Sequence, residues 1–332
     1  MSIKKIIHKL LEKKNMTNIE LDFIFNKIIN GSFNSSIISE ILTLININGL
    51  NYSSIFSITK ILRKKMIKIK VPKNSLDTCG TGGDGKLSLN ISTAVAILLA
   101  SMKINVAKHG NKSITSKCGS ADVLEQLGLN INEKKNILEK KIIKNNFIFL
   151  FAPNFHASMK NVAVIRKKLA FKTIFNIIGP LLNPGSLKRQ IIGLSDKTLL
   201  VPYITVLKKL KYKKAWVYCS EDGFDEISIF NKTKIYELNN NKIRSFYINP
   251  RNFIKNKHLA NSIIGKNKKY NANKIIEIFK GKNNAFSDMV ALNAAAGLIV
   301  ADREKNINSA FQTAKLHLLS GNTYNKLKEL RK

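Results

Sequence analysis

Residues 77–128 read DTCGTGGDGKLSLNISTAVAILLASMKINVAKHGNKSITSKCGSADVLEQLG. Four glycines, Gly80, Gly82, Gly83 and Gly85, crowd into six residues, with Asp84 among them. The polar segment Asn90-Ile91-Ser92-Thr93 then opens an apolar run that reads as a helix. A second polar loop, Lys108-His109-Gly110-Asn111, follows a short β-like segment. Glycine lets backbone N–H groups approach a ligand with no Cβ in the way. Successive N–H groups form an anion-binding concavity. A helix starting near Ile91 adds unpaired N–H groups and a positive dipole end. Asn90, Ser92 and Thr93 are placed to cap that helix or to meet oxygen ligands. The pattern is neither the GxxxxGK phosphate loop nor the GxGxxG dinucleotide fingerprint. GTGG alone would be read as a turn capping a helix. Followed by NIST and KHGN at this spacing, it reads as a phosphate-ligand site.

Outward from this stretch the pattern is α/β. Short apolar runs at 104–107, 147–151, 191–194 and 215–218 suit buried parallel strands. Helical stretches near 119–127, 133–144 and 197–211 lie between them, and this alternation predicts a mostly parallel central sheet flanked by helices. The runs 227–230, 234–238 and 243–248 are close enough for an antiparallel extension. The polar stretch 251–274 predicts a long surface loop, and 285–301 and 309–319 predict closing helices. Residues 3–66 predict a small all-helical domain. Thr17 and Glu20 form a capping-box pattern before Leu21, Ile24 and Ile28, and Gly31 and Gly49 mark helix ends.

The chain has 332 residues, of which 44% are hydrophobic, enough for two domains with a real core. No run of eighteen apolar residues suggests a membrane span. The start, MSIKKIIHKLLEKKN, is a better amphipathic helix than a signal peptide. Three cysteines, Cys79, Cys118 and Cys219, show no CxxC spacing. That argues against a disulfide framework or zinc site and predicts a reducing cytoplasm. Cys79 and Cys118 read as small space-fillers rather than nucleophiles. The net charge of +35 raises nucleic-acid binding. The lysines are spread along the whole chain beside Ile and Asn, with no basic arm, which is the mark of an AT-rich genome. Nucleic acid is therefore not expected as a partner.

Several motifs in order resemble the anthranilate phosphoribosyltransferase family. They are Gly80-Thr81-Gly82-Gly83-Asp84, NIST, KHGN, Phe151-Ala152-Pro153 with His156, Met159-Lys160, Arg166, Thr173-Ile174-Phe175-Asn176 through Pro184, and Glu221-Asp222-Gly223-Phe224-Asp225-Glu226. The matches run from about residue 77 to 302. The resemblance implies transfer of the phosphoribosyl group of 5-phosphoribosyl 1-pyrophosphate (PRPP) to the amine of anthranilate, in tryptophan biosynthesis. It implies a PRPP site of Gly80, Gly83, Asp84, Ser88, Asn90, Ile91, Ser92, Thr93, Lys108, His109, Gly110, Asn111, Lys112, Ser113, Ile114, Thr115, Ser116 and Ser120. Gly80, Asn111 and Arg166 would face anthranilate, with His109 either lining the aromatic ring or hydrogen-bonding the carboxylate. His156 is open between a structural histidine and a substrate contact.

The leaving pyrophosphate is a polyanion, so magnesium is implied, as two ions per subunit, on Ser92, Asp225 and Glu226. By itself Asp225-Glu226 would read as a solvated turn. The sugar C1 gains positive character as pyrophosphate leaves, and the aromatic amine is already neutral at pH 7. Orientation and electrostatics then suffice, with Lys108 and His109 in those roles and no strong general base. The resemblance also implies a homodimer and a discontinuous small domain: residues 1–70 completed by the helices of 157–185, with α/β parts over 71–156 and 186–332. The sequence departs from the family pattern at several points. Lys112 stands where Arg is usual, Cys118 for Ser, Cys219 for His, Ser88-Leu89 for Thr-Phe, and Ala170-Phe171-Lys172 for Gly-x-Arg. Two rival readings are a pyrimidine nucleoside phosphorylase, which uses free phosphate, and a non-enzymatic nucleic-acid-binding relative.

Overall fold

The computed structural model describes residues 2–113, 118–169 and 171–332. Four helices open the chain: α1 Ile3–Leu11, α2 Asn18–Ile29, α3 Ser35–Ile47 and α4 Tyr52–Lys65. Their starts follow from local chemistry. Thr17 and Glu20 close a full capping box on α2. The Asn34 side chain accepts from Ile37 N–H at 3.0 Å on α3, and Asn51 does the same for Ser54 on α4. Their apolar faces bury Ile24, Phe25, Ile41 and Ile58 in one cluster. Val162, Ile165, Ile174, Phe175 and Leu181 join that cluster from the later 157–185 segment.

The rest alternates strand and helix: β1 Leu76–Asp77, α5 Ile91–Ser101, β2 Val106–Gly110, α6 Ser120–Gln126, α7 Lys135–Asn145, β3 Phe147–Phe151, α8 Ala152–Phe155, α9 Lys160–Lys168, α10 Ile174–Ile177, β4 Arg189–Gly193, α11 Leu200–Lys209 and β5 Lys214–Ser220. The hairpin β6 Thr233–Asn239 and β7 Lys242–Ile248 follows, then α12 Lys268–Phe279, α13 Ala285–Val300, α14 Ile307–Leu319 and α15 Asn322–Leu330. Among the described residues seven strands form one sheet in the order β3-β2-β1-β4-β5-β6-β7. Strands β1 to β5 run parallel, and β6 and β7 are antiparallel additions. The mostly parallel sheet and antiparallel extension expected from the sequence are both present. All sixteen residues of α13 are buried. A helix buried on every side belongs inside a core, and the apolar residues of α13 lie in one cluster with α5.

Strand order decides where a ligand goes. From β1 the chain builds outward to β2 and β3, then returns to place β4 and β5 on the other side. At such a switch point the connections on either side diverge and leave a crevice at the carboxyl ends of the strands. The glycine loop leaves β1 at that point.

Four local expectations change. Strand β2 runs on through Lys108, His109 and Gly110, because Gly110 stays in register with Phe151. Only Asn111 begins the loop. Residues 227–230 are not a strand: the side-chain amide of Asn293 pairs with both backbone groups of Ile227, each at 2.9 Å, and replaces a neighbouring strand. The stretch 251–274 is not a plain surface loop. Ile263 is buried, a 3-10 turn spans Ala260–Ile263, and α12 begins at Lys268. The closing helices at 285–300 and 307–319 are joined by α15, which the sequence pattern did not suggest. Among the described residues no helix is long and apolar enough to cross a membrane.

Candidate active site

Each parallel strand delivers one piece to the same end of the sheet. The glycine loop follows β1. Lys108 and His109 end β2, His156 follows β3, Gly193 ends β4, and Asp225-Glu226 follow β5. The pieces are hydrogen-bonded to one another. Gly82 N–H donates to Asp225 Oδ2 at 2.7 Å, and Thr81 N–H donates to the Gly193 carbonyl at 2.9 Å. Gly193 has no room for a side chain: a Cβ there would lie 1.5 Å from the Asp225 carbonyl oxygen. Gly83 adopts φ +69°, which a branched residue resists. Lys172 Nζ crosses from the 157–185 segment to the Gly83 carbonyl and lies 3.4 Å from Ser195 Oγ.

Lys108 is the buried cation of the site, only 2% exposed. Its Nζ is 3.2 Å from Ser92 Oγ and 3.4 Å from Thr78 Oγ1. Two buried carboxylates feel its charge, Asp77 from one side and Glu226 from the other. Asp77 is tied down by His109 N–H at 3.1 Å and by Asn183 Nδ2 at 2.8 Å. Burial pushes it up to about 6, with Lys108 acting against that rise. Glu226 is pushed well above its ordinary range, first by burial and then by Asp225, while the Ser92 backbone N–H acts the other way. Asp225 rises to about 7 through burial and the neighbouring Asp84 carboxylate. Asp84 Oδ2 is buried without a donor.

Three carboxylates gathered this tightly repel one another, and a hard cation would relieve that. Asp84 and Asp225 lie close enough to Glu226 to act on it, and the Ser92 backbone N–H hydrogen-bonds it. Among the described residues no three His, Cys, Asp or Glu side chains converge as a complete protein cage. The donor set is all oxygen and fits magnesium, which keeps waters and ligand phosphates in its shell.

The histidines form a second group. His109 Nδ1 lies 3.2 Å from the Gly179 carbonyl, so Nδ1 carries the proton and Nε2 accepts. His156 Nε2 sits 3.3 Å from it, and the His156 ring also hydrogen-bonds the Leu182 backbone. Burial holds both well below the usual imidazole range, His109 at about 3 and His156 at about 4. A charge on His156 would press His109 lower still, and both are neutral at pH 7. Arg166, on α9, has a buried Nε with no hydrogen-bond partner among the described residues, and burial weakens its hold on its proton.

Other sequence candidates have different surroundings. Asn90 makes no cap bond on α5; its side chain ties loops together instead. Ile91 and Thr93 are buried at the start of α5, and Thr93 Oγ1 lacks a partner. Ser88 bridges to Ile264. Lys112 pairs with Glu125 at 3.1 Å, Ser113 N–H donates to Asp122 at 3.0 Å, and Ser120 Oγ donates to the Asn111 carbonyl at 3.3 Å. Ile114, Thr115 and Ser116 lie outside the described residues. The three thiols are free. Burial pushes Cys79 up to about 12 and Cys118 and Cys219 to about 11, so none supplies a thiolate at neutral pH. Sequence reading passed over Asp77, Lys172, Asn183, Gly193 and Ser195. Asn183 had a local hint in the GPLLNP motif, and Lys172 one in standing where the family pattern has Arg.

Family profiles match both parts of this architecture. Residues 4–66 match the glycosyl transferase family helical bundle domain, and 72–324 the glycosyl transferase family a/b domain. Fold and site thus define a glycosyl transferase with a helical bundle beside an α/β body. The anthranilate phosphoribosyltransferase of Pelagibacter ubique is 44% identical over 328 residues, covering 99% of each chain. That of Petrotoga mobilis is 38% identical, over 98% of this chain and 94% of its own. The crystal structure of the Thermus thermophilus enzyme of that name superposes with a TM-score of 0.90 at 27% identity, covering 98% of each chain. The Saccharomyces cerevisiae enzyme, in complex with PRPP and Mg, gives 0.88 at 26% identity, covering 99% of this chain and 96% of its own. The chain belongs to the anthranilate phosphoribosyltransferase family.

Proposed function

We infer that the protein transfers the phosphoribosyl group of PRPP to the amine of anthranilate, in tryptophan biosynthesis. The products are N-(5-phosphoribosyl)anthranilate and pyrophosphate. One observation carries the reading on the chemical side. The glycine loop lies at the switch point of the sheet, bonded through Gly82 to the Asp225 carboxylate that follows another strand. A glycine loop against a carboxylate pair supports the reading, because a polyanionic leaving group with its counter-cation requires such a pairing.

In the reaction the amine nitrogen bonds to ribose C1 while the bond from C1 to the pyrophosphate oxygen breaks. The amine then loses a proton. Gly80, Gly83, Asp84, Ser88 and the 90–93 segment hold PRPP in this reading, with Lys108, Gly110 and the loop from Asn111 through Ser120 on its phosphates. Lys108 is held rigidly, so its charge needs no reorganisation as pyrophosphate leaves. Gly80, Asn111 and Arg166 face anthranilate, and the neutral His109 lines its ring. Ser92, Asp225 and Glu226 hold magnesium, as two ions per subunit, which neutralises the leaving group when bound. The same reading takes residues 1–70 with 157–185 as a small domain that also forms a homodimer contact. It takes the cytoplasm as the site of action.

A coupled assay tests it. Anthranilate fluorescence should fall when PRPP and Mg²⁺ are both present, and should not fall with either alone. No loss of fluorescence, or phosphate-dependent nucleoside cleavage instead, overturns the reading. Tight DNA binding with a steep salt dependence and no turnover would also overturn it.

A further inference from the structure

The tail of the glycine loop is gripped by a segment far away in sequence. Leu89 N–H donates to the Ile263 carbonyl at 2.9 Å, Gly265 N–H donates to the Leu87 carbonyl at 2.6 Å, and Ser88 bridges Ile264 between them. The approach is close: a Cβ on Gly265 would lie 2.8 Å from the Ser88 carbonyl oxygen and 3.0 Å from Asn271 Nδ2.

Asn271 is 2% exposed and belongs to no group used so far. Lys266 N–H donates to its Oδ1 at 2.8 Å. Its Nδ2 donates to Asn90 Oδ1 at 2.9 Å, and Asn90 Nδ2 donates to the Cys118 carbonyl at 3.2 Å. The chain has one direction only. A backbone N–H can only donate, so Asn271 must turn its oxygen to Lys266 and its amide to Asn90. That forces Asn90 to turn its own amide to Cys118. Three separate points are thereby tied together: the brace at 263–271, the residue that opens α5, and the Cys118 backbone.

We propose that Asn271 is a positioning residue for PRPP, fixing through Asn90 the spacing between the glycine loop with its α5 N-terminus and the Cys118–Gly119 end of the second loop. It acts without touching the ligand. The inference rests on the functional reading above, because it assigns those two loops to the same ligand.

The variants are Asn271→Ala, Asn271→Asp and Asn90→Ala, plus the double variant Asn90→Ala/Asn271→Ala. Asn271→Asp is nearly isosteric and keeps the bond from Lys266, but it cannot donate to Asn90. It therefore serves even if the alanine variant folds poorly. The readouts are calorimetric binding of PRPP with Mg²⁺, both KM values, kcat and thermal melting. Losing one buried, directional bond should weaken PRPP binding and raise its KM about tenfold. The KM for anthranilate should stay near wild type. The double variant should be no worse than Asn90→Ala alone, because one chain is cut twice. Unchanged PRPP affinity in Asn271→Asp, equal shifts in both KM values, or multiplicative effects in the double variant would overturn the proposal. A wild-type protein that binds PRPP but transfers nothing to anthranilate would instead refute the functional reading, while the binding comparison would still judge Asn271.

Discussion

His109 and His156 face each other Nε2 to Nε2 at 3.3 Å, both buried, with the proton of the pair fixed by the Gly179 carbonyl. Burial disfavours a proton added to either ring. Adding a proton to either places a charge in a dry pocket beside Lys108.

The first prediction is a pH effect on stability. Both folded-state values, about 3 and about 4, lie below the ordinary 6.5. The unfolded chain therefore takes up protons first as pH falls. Above pH 6.5 the pair costs nothing; between pH 6.5 and about 4 stability drains away. At pH 5 each histidine should remove about 2 kcal/mol relative to neutral pH. Buried Asp77, raised to about 6, acts in the opposite direction over part of this range. The check is therefore a difference: His156→Gln should flatten the loss of melting temperature between pH 7.5 and pH 5. An unaltered slope would show that the rings are not held neutral by burial.

A second prediction concerns the carboxylate pair. Asp225→Asn with Glu226→Gln should lower turnover at least about hundredfold, since preorganised charge stabilisation is lost. Metal-free protein at pH 8 should melt no lower than wild type, because the amides carry no charge for burial to penalise. Steady-state kinetics and melting curves report the two halves separately. Turnover near wild type would remove the pair from the site.

Gly193→Ala is the third. A Cβ there meets the Asp225 carbonyl at 1.5 Å, so the 224–226 turn must move. Overpacking of this kind costs about 1–3 kcal/mol. Activity should fall far more than stability, because the displaced turn carries Asp225 and Glu226. A crystal structure of the variant with an unmoved turn, or full activity, would contradict the argument.

Arg166→Ala is the fourth. Its Nε lacks a partner, which suits a group awaiting a carboxylate. The KM for anthranilate should rise much more than that for PRPP, by roughly 1.5–3 kcal/mol or about tenfold to a hundredfold. Arg166→Lys should recover only part, because an ammonium cannot reproduce the planar fork. Unchanged KM values for both substrates would leave Arg166 as a surface cation.

What was legible in the sequence was what short stretches encode. The capping box at Thr17, the end of α5 that begins at Ile91, and the paired strands of 233–248 all depend on neighbours within a few residues. What was not legible depends on distant partners. Residues 227–230 look like a strand until Asn293 takes over the Ile227 backbone. The Lys/Asn composition of 251–274 hides Ile263 and Gly265, whose meaning lies in Leu87 and Ser88. Gly193 gains its importance only when Asp225 arrives beside it, and Asn271 only through Asn90.

The contact between Gly82 and Asp225 spans 143 positions of chain. During synthesis the glycine loop emerges long before its carboxylate partner, and longer still before the brace at 263–271. A partly made chain can form the first strands and helices, yet it holds only half of a phosphate site. On the proposed function, PRPP has no finished pocket to stabilise until nearly the whole polypeptide has left the ribosome. The substrate rewards completion of folding and cannot guide its early stages, which are left to the local signals of the first helices.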